Sequence, residues 1–145
     1  MIGTADDVRA LPSDTRSVRC IACDDATLGA VATRLTRLEY VFANETATLT
    51  DRGIEALAAL PGVRQVVILN ANKLTDASVI ALASLPSLQE LTVEDAPHIS
   101  GAGFRRLATS KSLRRIHLAN CAGADPNTLM ALRAALPQAE IVASE

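Results

Sequence analysis

Leu88-Gln-Glu-Leu91-Thr-Val93-Glu-Asp-Ala96 and Leu113-Arg-Arg-Ile116-His-Leu118-Ala-Asn-Cys121 follow one pattern 25 residues apart, and that pattern decides the fold. Each opens on leucine, places an aliphatic residue three positions on and another two further, and ends on a small residue three beyond. The same series runs through Leu38, Val41, Ala43 and Thr46, and through Val63, Val66, Ile68 and Ala71. Alternation in the middle of each stretch has the period of a strand. A fixed repeat of this length marks stacked supersecondary units, none of which can bury its apolar face alone.

The second half of each unit keeps step. Leu49, Leu74, Ile99 and Ala124 precede Thr50, Thr75, Ser100 and Asp125, whose side-chain oxygens can take up an orphan N–H of a helix's first turn. Pro126 suits the first helical position. Ile54/Leu57, Val79/Leu82, Phe104/Leu107 and Leu129/Leu132 follow at helical spacing. Leu60, Leu85 and Leu136 close the helices, each before a proline that stops the helix. The spacing predicts strand–helix units at about 18–37, 38–62, 63–87, 88–112 and 113–138, with a final strand at 139–143. Helices are expected to start just after Thr50, Thr75, Ser100 and Asp125. In the first unit Val18, Ile21 and Cys23 are expected to face inward, with Asp24 capping a helix after a short loop. Residues 1–17 are expected to form an N-terminal cap, with a short helix near Ala5–Leu11 started by Thr4.

Leu113-x-x-Ile116-x-Leu118-x-x-Cys121, with Leu49-Thr-Asp-x-Gly-Ile54-x-x-Leu57, resembles the cysteine-containing class of leucine-rich repeats. That class forms the substrate-binding half of F-box proteins and is related to ribonuclease-inhibitor-like horseshoes. The likeness covers about residues 18–143. It implies an α/β fold: a short right-handed leucine-rich-repeat solenoid, a horseshoe arc with a parallel sheet on the concave face and helices on the convex face. Only Cys121 keeps the motif's cysteine. The 17 residues before the repeats are too few for an F-box, so a ubiquitin-ligase role is not expected.

Strand residues alternate in direction, so the residues between the interior ones can be read as outward rows. The first row is Cys20, Tyr40, Gln65, Glu90 and Arg115; the second is Ala22, Phe42, Val67, Thr92 and His117; the third is Asn44, Leu69, Glu94 and Ala119. Tyr40, Phe42, Val67 and Leu69 would make an apolar patch facing solvent. Such patches mark interaction sites, and aromatics are favoured interface anchors. A register slip of one residue would instead turn the four inward. Glu90 and Arg115 fall on adjacent strands, as a surface ion pair of small worth or as the polar rim of an interface. The expected binding residues are Tyr40, Phe42, Gln65, Val67, Leu69, Glu90, Thr92, Arg115 and His117, and the expected partner is a protein or peptide. The alternative is an assembly element, a monomer or weak homodimer associating through the edge of strand 139–143, because an uncovered edge can pair with another chain.

Composition narrows the rest. A chain 49% hydrophobic and 21% charged can fold as one domain, and 2% aromatics leave the core to Leu, Val, Ile and Ala. A net charge of -2 gives no reason to expect nucleic acid. Met1-Ile-Gly-Thr-Ala-Asp-Asp lacks the basic and apolar regions of a secretory leader, and no stretch approaches the roughly 18 apolar residues of a membrane span. Three cysteines, an odd set, suit a reducing compartment, so a cytoplasmic protein is expected. Cys20-Ile-Ala-Cys23 has the spacing of a redox pair or half a zinc site, yet on a strand its cysteines are expected on opposite faces. His98 and His117 have no serine or cysteine at a spacing that suggests a nucleophile–base pair. Gly101-Ala-Gly103 lacks the flanks of a nucleotide loop. Arg105, Arg106, Lys111, Arg114 and Arg115 read as a solvated helix and turn. No enzymatic activity, metal or cofactor is expected.

Overall fold

Strands form wherever the interior series recurs, and helices begin wherever it hands over to a capping residue. The computed structural model describes all 145 residues. In chain order these are α1 (Ala5–Arg9), β1 (Ser17–Ile21), α2 (Asp25–Arg34), β2 (Tyr40–Asn44), α3 (Asp51–Leu57), β3 (Gln65–Ile68), α4 (Asp76–Ala83), β4 (Glu90–Glu94), α5 (Gly101–Arg105), a 3-10 turn (Arg106–Thr109), β5 (Arg115–Ala119), α6 (Pro126–Ala135) and β6 (Glu140–Ser144). The chain has the expected α/β class. Its one sheet contains six strands in sequence order, every neighbouring pair parallel.

The predicted register holds from β2 to β5. Val41, Val66, Leu91 and Ile116 are opposite one another, as are Ala43, Ile68, Val93 and Leu118. All eight are buried in a single apolar core with Leu38, Val63, Leu88 and Leu113. Thr46 occupies the small inner place of its unit, and its hydroxyl donates to the carbonyls of Leu69 (2.9 Å) and Asn70 (2.6 Å). A buried hydroxyl left without such acceptors would destabilise the layer. Thr50, Thr75, Ser100 and Asp125 each cap a helix by accepting from an amide of its first turn.

The first strand departs from the expected register. Val18, not Ile21, is opposite Val41, and Cys20 is opposite Ala43. Position 15, equivalent to Leu38, is a threonine, which hid the alignment. The turn is nonetheless the same: Thr15 N–H donates to Pro12 O as Leu38 N–H does to Leu35 O, both at 3.1 Å. Cys20 therefore faces inward rather than out, and Arg19 takes the outward place beside Phe42 that Ala22 was expected to hold. Ala22 has φ 53° and turns the chain, so Cys23 is inward as well. The two cysteines, expected on opposite faces, are wholly buried and joined in a disulfide with Cα atoms 5.3 Å apart. Ala119, expected outward, is also buried, between Glu94 on β4 and Ser144 on β6.

A relay of aspartates links successive helix starts. Asp25 accepts from the amide (2.8 Å) and hydroxyl (2.6 Å) of Thr50 and from Gly53 N–H (3.1 Å). Asp51 does the same for the amide and hydroxyl of Thr75 and for the Ser78 hydroxyl. Asp76 serves the amide and hydroxyl of Ser100. Each carboxylate thus lies at the N-terminus of its own helix and against that of the next, where the aligned dipoles favour negative charge. A Cβ at Gly53 or Gly103 would run into Asp25 or Asp76, which gives those glycines a packing role.

Gly123 is the tightest backbone crossing. A Cβ there would meet the Ile99 carbonyl, Ser100 C at 2.6 Å and Gly101 N at 2.8 Å, all main-chain atoms with no freedom to rotate away. Gly123→Ala is therefore expected to destabilise the fold by about 1–3 kcal/mol. Urea unfolding checks this, and an unchanged midpoint would mean that the loop can separate at no cost.

Candidate binding face of the sheet

Because the inner side chains are taken up by the core, the alternate residues of each strand face away from the helices. Pairing lines them into rows: Ser17, Tyr40, Gln65, Glu90, Arg115 and Glu140 in one, Arg19, Phe42, Val67, Thr92, His117 and Val142 in the next. All nine expected binding residues belong to this face, with Leu69 just beyond the end of β3.

The apolar part is more covered than expected. Tyr40 is 42% exposed, while Phe42, Val67 and Leu69 are half-buried. Arg19 explains part of this: its guanidinium sits over the Phe42 ring, 4.7 Å from the centroid, a cation–π contact worth about 0.5–1 kcal/mol at an exposed site. The N-terminal segment does not cover the patch. Ile2 instead adds to the free edge of β1, its N–H donating to Arg19 O (2.7 Å) and its carbonyl accepting from Ile21 N–H (2.8 Å). Arg19, Tyr40, Phe42, Gln65 and Val67 line a shallow depression of about 280 Å³ between β1, β2 and β3.

Polar groups fill the other half of the face. Arg115 lies between Glu90 (3.9 Å) and Glu140 (3.4 Å), and all three side chains are well exposed. The pairing is loose and solvated, so it contributes little to stability. His117 Nε2 is 3.3 Å from Ser144 Oγ. Gln65 and Thr92 stand between the two regions.

A larger open cleft of about 940 Å³ lies where the strands end, bordered by Asn70, Asp95, Asn120, Cys121 and Asp125. Its polar groups are tied to one another: Asn70 donates to Asn44, and Asn120 to Asp95. Asn70, Asp95 and Asn120 all have positive φ, which asparagine and aspartate tolerate best, so these residues serve the chain reversal after each strand. Burial pushes the Cys121 thiol up, which disfavours the reactive thiolate. No three His, Cys, Asp or Glu side chains converge as a metal-holding group, and no helix is long and apolar enough to cross a membrane. His98 is an exposed loop residue. Arg114 Nη1 donates to the carbonyls of Lys111, Ser112 and Leu113.

Arg19 beside Phe42, and Ser17, Glu140 and Val142 at the ends of the two rows, are the residues of this face that the sequence rows left out. For Arg19 the signal was the Val18-x-Cys20 spacing, which matches Val41-x-Ala43. No protein-family model matches the chain, and no curated protein matches it.

Proposed function

We propose that the chain is a short leucine-rich-repeat solenoid of the cysteine-containing type, and that the outward, concave face of its sheet binds a protein or peptide partner. One observation carries the reading. Tyr40, Phe42, Val67 and Leu69 form an apolar patch on the neighbouring strands β2 and β3, with Leu69 just past the end of β3, flanked by Arg19 on one side and the Glu90–Arg115–Glu140 row on the other. An apolar centre with a charged rim is the anatomy of a protein interface. A parallel sheet also presents these side chains without much ordering cost on association.

The test is affinity capture from the source cells with wild type and a Tyr40→Ala/Phe42→Ala variant, followed by titration of the captured protein. The double variant is expected to bind at least about tenfold more weakly, a loss of about 1.4 kcal/mol or more, while its circular dichroism and melting stay close to wild type. Unchanged affinity with the fold intact would move the site to Glu90, Thr92, Arg115 and His117, or away from this face.

A second reading has its own observation. β6 pairs with β5 on one side and with no strand of this chain on the other, so its edge could pair with a second copy. Sedimentation at several concentrations separates the two: a monomer throughout supports partner binding on the face, and a concentration-dependent dimer supports edge association.

A further inference from the structure

We infer that Cys20 and Cys23 are a reversible dithiol–disulfide couple that controls whether the N-terminal segment, from Ile2 through β1, stays docked on the sheet. The positions explain why a bond forms here and nowhere else. Cys20 and Cys23 stand where later units have Ala43 with Thr46, or Ile68 with Ala71. Those two places are adjacent inner positions around a left-handed residue, and the Cα separation of 5.3 Å lies within the range a disulfide spans. In the fifth unit Cys121 occupies one such place, but its companion is Leu118, so it remains a free thiol.

The first unit also needs a tether that the others do not. Between the left-handed residue and the helix cap, the later units insert a wholly buried anchor such as Leu49 or Leu74. The first unit has no such residue: Cys23 runs directly into the cap Asp24. The disulfide is the covalent link that ties this loop to β1 in the core layer beneath it, beside the bond of Asp24 to Thr27.

What covers the couple is a short terminal segment. Ile2 pairs with Cys20 through a single bridge, and α1 is a five-residue helix packed on α2, with Val8 its one buried side chain. Short terminal segments open locally at a fraction of the global unfolding cost. Such an opening admits a dithiol reductant to sulfurs that are otherwise shielded. A reductant thiolate attacks one sulfur, giving a mixed disulfide and releasing the other cysteine as a thiolate, which takes up a proton. The second reductant thiol then resolves the mixed disulfide. Two electrons and two protons reach the protein, and the dithiol leaves as a disulfide. A low-molecular-weight disulfide such as oxidised glutathione returns the couple by the reverse exchange. With the bond open, the loop loses its tether, and Ile2, α1 and β1 loosen together.

Two measurements on the whole chain test this, and neither depends on any partner. After exposure to oxidised glutathione, the denatured chain is expected to titrate one thiol, and after dithiothreitol three. Hydrogen exchange at the Ile2 and Ile21 amides and through α1 is expected to be at least tenfold faster in the reduced chain, with β3–β5 unchanged. A Cys20→Ala/Cys23→Ala variant should show the fast exchange whether or not dithiothreitol is present, and Cys121→Ser should keep the switch. Three thiols after oxidation would overturn the inference, as would equal exchange of residues 2–21 in the oxidised and reduced wild type. The wild-type comparison stands even if the double variant does not fold.

Discussion

Leu91→Ala is expected to lower the stability of the fold by about 2–5 kcal/mol. Leu91 is 1% exposed at the centre of the sheet, opposite Val66 on one side and Ile116 on the other. Truncation removes the transfer free energy of the lost carbons and leaves a void that neighbours on both sides prevent from collapsing. An equivalent change at the sheet's ends, such as Ile141→Ala on β6, has a layer on one side only and should cost less. For a chain of this length each kcal/mol corresponds to roughly 2–4 °C in melting temperature, so a drop on the order of 10 °C is expected. Thr92→Ala, one residue away on the outward face, should stay within about 0.5 kcal/mol. Melting of Leu91→Ala within a degree or two of wild type would show that the layer at β4 is not the close-packed core described above.

The contrast between Leu91 and Thr92 also shows why most of the fold was legible. From Leu38 onward each unit has nearly the same length, so one alignment fixes strand direction, inner residues and helix caps together. The first unit broke that logic in two ways. Thr15 stands where the template has a leucine, and the passage from the left-handed residue to the cap is two residues (22 to 24) rather than five (45 to 50). Aligning on Ile21 and Cys23 was then as good as aligning on Val18 and Cys20, and it put Cys20 on the wrong face and left Arg19 out of the outward rows. The consequence fell on the proposed binding face, because Arg19 stacks on Phe42 and covers part of it. Single-residue alternation gives every side chain on a strand the opposite face when the register shifts by an odd number, and here the shift was three.

The aspartate relay was illegible for a different reason. An acid at the first helical position reads as an ordinary complement to the helix dipole. Its second role, accepting from the next unit's cap, exists only once stacking places one helix start beside another. The recurrence of Asp25, Asp51 and Asp76 was visible; their acceptor role across units was not. The relay also stops at a visible point, since α5 begins with Gly101. Asp125 of the following helix caps without help from the preceding unit, and the Thr128 amide, 2.8 Å away, holds its carboxyl below the usual range.

Asp51→Ala is expected to cost about 2–4 kcal/mol at neutral pH, most of it absent in strong acid. The carboxylate accepts from Thr75 N–H at 2.9 Å, from the Thr75 hydroxyl at 2.6 Å and from the Ser78 hydroxyl. Hydrogen bonds to a charged acceptor are worth about 1.5–3 kcal/mol each without being additive, and Ser78, which is 1% exposed, loses its acceptor altogether. Burial alone would raise the Asp51 carboxyl, but the hydroxyls of Ser78 and Thr75 and the Thr75 amide outweigh it, so the group stands below its ordinary value of 3.8. A carboxyl whose folded pKa is depressed contributes stability that is fully present above the unfolded value and lost as pH falls through the folded value. Asp24, held low chiefly by the Thr27 hydroxyl and amide, acts in the same direction. Wild type should therefore lose stability faster than Asp51→Ala as the pH falls below about 4, and the gap between them should narrow. Denaturant titrations at neutral pH and at successively lower pH measure that gap directly. If it stays constant into the acid range, the carboxylate charge is not what holds the two helix starts together, and packing around the Cβ of Asp51 is. If the gap narrows for Asp51→Ala while Leu91→Ala keeps its full deficit, the sheet layer and the aspartate relay are separate sources of stability, one insensitive to protons and one governed by them.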